Sequence, residues 1–214
     1  DTKISNTDRS FGALISGYIA DNYGETGLSK PVTINLEGSA GQSFGCWNAN
    51  GLVLNINGDA NDYVGKGMNG GRIVVKNNNL YATSKNNPSL VGNTCLYGAT
   101  GGELYVSGRA GERFAVRNSG AKAVIEGAGD HCCEYMTGGI IMVLGKTGVN
   151  FAAGMSGGIA YLHSEDGTFD EKKFNLEMVE LEDLQDSDRT TIQGLLQNHV
   201  DYTKSPKAKS ILKN

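Results

Sequence analysis

The sequence predicts an all-β protein: a right-handed parallel β-helix of about six coils, with an N-terminal helix and a C-terminal helical tail. Three observations support this prediction. Glycine is abundant, at 31 of 214 residues, whereas proline occurs only 3 times. A Gly-Gly pair, or a near equivalent, recurs about every nineteen residues. Each pair is followed by a short apolar run that is rich in β-branched residues, as strands are.

The apolar runs are expected to be the strands of the coils. They lie at residues 52–54, 73–75, 104–106, 123–125, 140–143 and 159–162. Strands at this spacing are also compatible with an antiparallel sandwich. A sandwich gives no reason for the same glycine turns to recur in register, so the parallel coil is favoured. Right-handed coiling is the chirality expected of parallel crossovers.

The recurring glycines are predicted to occupy the corners of the coils. Glycine suits positions where φ is positive or where two backbones approach closely. One interval is about a dozen residues longer than the rest, because an Asn-rich insertion lies near Asn77 to Asn87 and is expected to form a surface loop. The glycines assigned this structural role are Gly71, Gly102, Gly120, Gly139 and Gly158.

The two ends of the chain have helical patterns and are expected to cap the solenoid. Residues 8–21 carry apolar side chains at helical spacing after the candidate cap 6–8. Helices are also predicted after Ser187-Asp188 and after Ser205-Pro206, with a final strand around 178–181. We therefore divide the chain into a capping segment (1–28), the β-helix (29–165) and a C-terminal strand with a helical tail (166–214).

Composition excludes several classes of function. The net charge of −4, with both signs interspersed, leaves no basic stripe for nucleic acid. No apolar run approaches the roughly 18 residues of a membrane span, and no secretion signal is visible. Four cysteines without a disulfide-scaffold density fit a reducing, cytoplasmic compartment. The missing initiator Met at Asp1 suggests a segment of a longer chain.

Two motifs resemble functional sites, but a structural role explains each of them better. The glycines of 65–70 fit a dinucleotide-binding loop, but such a loop must open a helix, and here a strand follows. The cluster Asp130 to Glu134 contains His131 and two adjacent cysteines, Cys132 and Cys133. Adjacent residues in a strand point to opposite faces, so these cysteines are not expected to converge on a metal. We predict no catalytic, cofactor-binding or metal-binding residue in this chain.

Charged residues in adjacent coils are the remaining candidates for function. Glu112, Arg113, Arg117 and Glu134 occupy related positions, so stacking of the coils brings them to one face. One interpretation is an ordinary solvated face. The other is a set of charges that contacts a partner domain, since arginine is enriched at interfaces. The sequence leaves both open.

Several strings in the coils resemble one known family. They are Gly38–Gly45, Gly58–Met68, Gly92–Gly102, Ala110–Gly120, Glu134–Gly139 and Asn150–Gly158. These strings are similar to the C-terminal domain of the glutamate synthase large subunit, and the resemblance covers roughly residues 5–185. Two departures are Cys132, where a smaller or polar residue is expected, and the Asn-rich insertion.

The resemblance implies a fold and a role. The family enzyme makes glutamate from glutamine and 2-oxoglutarate, with an amidotransferase domain and a synthase domain that holds FMN and an iron–sulfur cluster. A small NADPH-oxidising subunit is a further partner. By resemblance, the present domain is a right-handed β-helix without catalytic residues, a scaffold between the other domains.

Two other functions compete with the scaffold. One is a free-standing β-helix subunit of a multi-subunit glutamate synthase-like or formylmethanofuran dehydrogenase-like complex. The other is a β-helix carbohydrate enzyme, which needs clustered carboxylates on one face and usually a secretion signal. The chain shows no such signal, which disfavours that enzyme.

Overall fold

Parallel strands wind into a β-solenoid of about six turns. The computed structural model describes residues 2–77, 87–164, 167–168 and 170–213. The strands are β1 (Thr2–Ile4), β2 (Val32–Ala40), β3 (Leu52–Ala60), β4 (Asn69–Lys76), β5 (Ser89–Val91), β6 (Gly101–Val106), β7 (Arg109–Ala110), β8 (Ser119–Ile125), β9 (Thr137–Val143) and β10 (Gly157–Leu162). The helices are α1 (Ala13–Tyr23), α2 (Asp186–Thr203) and α3 (Pro206–Ile211), with short 3-10 helices at Gly24–Thr26 and Glu171–Lys173. The all-β solenoid predicted from the repeat is confirmed.

Most of the strands form one parallel sheet in which each coil adds one strand. The order is β1-β2-β3-β4-β6-β8-β9-β10, and a second, shorter path pairs β5 with β3 and β7. Most of the predicted Asn-rich insertion, residues 78–86, lies outside the described residues.

The interior of the solenoid is built from rows of equivalent residues. One row, set by the strand register, contains Leu54, Ile73, Leu104, Ala123 and Ile141, and all of them are 0% exposed. Apolar side chains at alternate strand positions therefore stack on their counterparts one coil away. This regular burial is the reason that the apolar runs recur along the sequence.

The outer face of the sheet changes character where the C-terminal helices cover it. In the first coils an outward row begins with Asn35 and Asn55, and the Asn55 amide donates to the Asn35 side-chain oxygen at 2.9 Å. In later coils the same row is apolar and packs against Leu195, Leu196 and Val200 of α2. That continuation consists of Val74, Tyr105, Val124, Met142 and Tyr161.

The N-terminal helix is shorter than predicted, and fewer of its apolar side chains are buried. It begins at Ala13 instead of residue 8, because the Asp8 carboxylate accepts hydrogen bonds from the Ser5 backbone N–H (2.8 Å) and hydroxyl (2.9 Å) and so closes a turn. Only part of its apolar side chains reach the core: Ile19 is buried, but Leu14 is 92% and Tyr18 64% exposed.

The C-terminal helices are confirmed, and the strand predicted around 178–181 is wrong. Residues 178–181 contain no strand; the chain instead makes a single parallel bridge between Phe151 and Phe174. Ser205 caps α3 by accepting the Ala208 N–H at 3.0 Å, and Gln185 and Asp188 form a capping box at α2.

The predicted glycines lie near the starts of strands and not at corners between them, and Gly71 in β4 and Gly139 in β9 show why the repeat requires glycine. Gly71 (φ 68°) and Gly139 (φ 88°) have left-handed backbones, and a Cβ at either position would overlap a carbonyl oxygen of the preceding coil. The Asn48 and Asn118 amides lie against these glycines. Asn118 is fully buried and bonds the Ala121 N–H and the carbonyls of Ala121 and Gly138, at 3.0–3.1 Å. Gly102 and Gly158 also have positive φ, and a Cβ at Gly120 would overlap the Thr100 carbonyl.

Candidate interdomain surface

One side of the solenoid, which we call the turn face, is made of six five-residue turns. They are residues 43–47, 63–67, 94–98, 113–117, 131–135 and 150–154. In all six of these turns the first, third and fifth residues have a left-handed backbone, with φ between 54° and 65°. Many of these residues are not glycine, although such a backbone costs about 1–2 kcal/mol for other residues.

Hydrogen bonds between coils hold this unusual backbone in place. In turn 113–117, the Arg113 N–H donates to the Asp130 backbone carbonyl of the next coil at 2.8 Å, and the Arg117 N–H donates to the Glu134 backbone carbonyl at 3.0 Å. Between them, the Ala115 N–H donates to the Cys95 backbone carbonyl of the preceding coil at 2.8 Å. The turn is thus bonded to both neighbouring coils, which fixes the backbone from which its side chains project.

The structure brings the four charged residues of the sequence analysis to the turn face and its edge. Glu112, Arg113 and Arg117 are exposed and Glu134 is half-buried. In the described part of the chain, neither arginine forms an ion pair. Glu134 instead lies 3.5 Å from the His131 Nδ1. Stacking therefore places opposite charges on neighbouring coils without pairing them, and both guanidinium groups remain available.

Exposed aromatic side chains share the turn face and were missed from the sequence. Trp47 is 60% and Tyr135 54% exposed. Each ring occupies the space beside a glycine at the same position of the next coil, Gly67 for Trp47 and Gly154 for Tyr135. The signal available in the sequence was an aromatic residue followed one repeat later by glycine. Exposed arginine and aromatic residues are typical of binding surfaces.

The glycine-rich loop and the cysteine pair both belong to the turn face. The loop begins in turn 63–67, and the cysteines lie in turn 131–135. Gly65 and Gly67 have positive φ and lead into strand β4, so no helix N-terminus faces the loop. The expectation that Cys132 and Cys133 point to opposite faces is wrong, because they lie in a turn and Cys133 has φ 60°. Both are buried, with their sulfurs 3.7 Å apart, and burial raises the pKa of Cys132. Among the described residues, no three His, Cys, Asp or Glu side chains gather as metal ligands.

A second cluster, invisible in the sequence, joins a serine, a histidine and a carboxylate. The Ser205 hydroxyl donates to a Glu126 carboxylate oxygen at 2.5 Å, and His199 Nε2 lies 3.4 Å from the same oxygen. In a nucleophilic triad the hydroxyl bonds the histidine, and the carboxylate bonds the other ring nitrogen. Here both groups meet the carboxylate, and all three side chains are at most 3% exposed. The cluster therefore attaches α2 and α3 to the coil and has no access to a substrate.

The described helices include none that is both long and apolar enough to span a membrane.

Comparison with known proteins shows which family and which relatives this chain resembles. The family model described as the GXGXG motif matches residues 1–214. Ferredoxin-dependent glutamate synthase 2 of Synechocystis is 54% identical over 213 residues, which is 99% of this chain and 14% of that protein.

Two further relatives differ in the electron donor that their names give. The glutamate synthase [NADPH] large chain of Bacillus subtilis is 50% identical over 98% of this chain, and the match covers 14% of that protein. Glutamate synthase [NADH] of Schizosaccharomyces pombe is 50% identical over 99% of this chain and 10% of its own length. The chain thus spans about one seventh or less of the length of these relatives.

Proposed function

Because the chain belongs to the GXGXG motif family and is a domain shared with glutamate synthase large subunits, we propose that it is their non-catalytic scaffold. The parent enzyme would make glutamate from glutamine and 2-oxoglutarate. The amidotransferase domain, and the synthase domain that holds FMN and an iron–sulfur cluster, would lie against this solenoid. The division into a cap (1–28), a β-helix (29–165) and a tail (166–214) belongs to the same proposal.

The observation that carries the proposal is the contrast between buried and exposed polar groups. The Glu126, His199 and Ser205 side chains are used internally, whereas Arg113 and Arg117 project from a rigid backbone without a partner carboxylate. A scaffold needs this arrangement, because a backbone that is already rigid loses little conformational entropy when another domain binds. Relatives in which the matching region lies within a much longer chain favour this function over a free-standing subunit.

We infer that this domain does not determine which electron donor the parent enzyme uses. Relatives named for ferredoxin, NADPH and NADH are all 50–54% identical to the chain. A domain that selected the donor would be expected to resemble one of these groups more than the others. We therefore place donor selection in other parts of the enzyme.

Substitution of the two arginines tests the proposal. A solvent-exposed charge contributes only about 0–1 kcal/mol to stability, so Arg113→Ala with Arg117→Ala should leave the Tm of the 214-residue chain nearly unchanged. In the full subunit, losing contacts to another domain should cost about 2–5 kcal/mol in domain association and raise the glutamine consumed per glutamate formed. Arg109→Ala, at the exposed position of strand β7, is the matched control and should have neither effect.

Three outcomes would contradict the proposal. If the isolated chain loses as much stability as the full subunit, the arginines support the fold and do not bind a partner. If the full subunit keeps its coupling, the turn face is not the interface. Turnover by the 214-residue chain alone would overturn its non-catalytic role.

A further inference from the structure

The segment between the last coil and α2 is held at both ends against the solenoid. We call residues 175–185 the acidic strap. At its start, the Phe174 ring packs edge-on against Phe151, with centroids 5.6 Å apart, and the Asn175 N–H donates to the Phe151 carbonyl at 2.9 Å. At its end, the Gln185 N–H donates to Asp188, whose carboxylate also accepts the Tyr161 hydroxyl at 2.7 Å.

Between these anchors the strap presents large apolar side chains to solvent. Val179 packs on the core, but four neighbours are directed outward. The exposed fractions are 41% for Leu176, 59% for Met178, 54% for Leu181 and 52% for Leu184. Exposed apolar side chains that cluster on one short segment mark an interaction site more often than scattered ones do.

The charges of the strap define the kind of partner. Exposed acidic residues alternate with the apolar ones, and there is no Lys or Arg from Phe174 to Asp188. A second copy of this chain is a poor match, because each copy carries a net charge of −4. Anionic lipid and nucleic acid would be repelled. The complementary surface is therefore a protein groove that combines apolar pockets with lysine or arginine. The acidic residues of the strap are Glu177, Glu180, Glu182 and Asp183.

We propose that the acidic strap docks into a basic, apolar-lined groove on another domain of the polypeptide that carries this chain. The location of the groove rests on the proposed scaffold function. In the described structure, the backbone N–H groups from Met178 to Leu184 make no hydrogen bond, so docking would change their exchange with solvent. The strap starts beside Phe151 in turn 150–154 of the turn face and ends at α2, so it would add a contact made by residues other than Arg113 and Arg117.

Zero-length carbodiimide cross-linking and amide hydrogen exchange of the full-length polypeptide test the proposal. The carbodiimide joins a carboxylate to a lysine only where the two are in contact. We expect cross-links from strap carboxylates to lysines of another domain. Glu180→Lys with Glu182→Lys should abolish them and speed exchange of amides 178–184 by about tenfold or more, because the docked segment is released. Asp21→Lys, an equally exposed acid on α1, is the matched control and should change neither result.

Cross-links confined to this chain's own lysines, such as Lys172 and Lys173, would overturn the proposal. So would exchange at 178–184 that is the same in the wild type and in the doubly substituted protein. Neither result would affect the scaffold function, which is tested separately by Arg113 and Arg117.

Discussion

Three Gly→Ala substitutions separate the two reasons for which a glycine is needed in this fold. Gly139 has φ 88°, and a Cβ there would overlap the Ala121 carbonyl oxygen and lie 2.6 Å from the Asn118 amide nitrogen. Gly98 has φ 62° but open space over its Cα. Gly194 lies inside α2 with no positive φ and nothing within 4 Å. The three positions therefore combine strain and clash, strain alone, and neither.

The expected changes in the free energy of unfolding differ in size and sign. Alanine in a left-handed conformation costs about 1–2 kcal/mol, which is the whole effect expected at Gly98. At Gly139 a further 1–3 kcal/mol, roughly, comes from overpacking against the neighbouring coil, giving about 2–5 kcal/mol in total. At Gly194 alanine should stabilise the helix by about 0.5–1 kcal/mol, because it restricts the unfolded chain and favours the helix.

Urea unfolding followed by circular dichroism measures these changes. With a slope of about 2–3 kcal/mol per molar urea, Gly139→Ala should lower the midpoint by about 1–2 M and Gly194→Ala should raise it slightly. Amide exchange should show the loss first in β8 and β9, since each coil contacts only its neighbours. Equal costs at Gly139 and Gly98 would refute the reasoning, because the close approach between coils would then carry no energy.

Two further predictions concern buried groups. Ser205→Ala removes the hydroxyl that bonds Glu126 and should cost about 1–3 kcal/mol; amide exchange should speed up in α2 and α3 before the solenoid, whereas the exposed Ser187→Ala should have little effect. Burial raises the pKa of Cys95 from its ordinary 9.0 to about 12. The pKa of this thiol is therefore higher in the folded than in the unfolded protein. The stabilisation that the neutral thiol contributes is complete below about pH 9 and is lost as pH rises toward 12. Cys95→Ala should therefore reduce the fall in the urea midpoint between pH 8 and pH 11. An unchanged dependence of the midpoint on pH would contradict the prediction that burial raises the pKa of this thiol.

The sequence predicted the solenoid because its strands repeat a packing arrangement with a fixed period. Leu54, Ile73 and Leu104 are each followed one coil later by another apolar residue, since like side chains stack on like. It also predicted α2 from the spacing of Leu195, Leu196 and Val200, although the helix begins at Asp186 after the cap Gln185, two residues before the start predicted from Ser187-Asp188. It failed at α1, where apolar spacing alone suggested burial that Leu14 and Tyr18 do not have.

The turn face was decided by tertiary structure. Arg113, Arg117 and Tyr135 have no local reason to adopt a positive φ; hydrogen bonds to neighbouring coils stabilise that conformation, and a single turn cannot supply them. In the same way, Glu126 and Ser205 are 79 positions apart in the chain and meet only after α3 folds back onto the sheet. Periodic burial is encoded locally and repeats along the sequence, whereas the pairing of buried polar groups and the exposure of a surface depend on which distant segments come together.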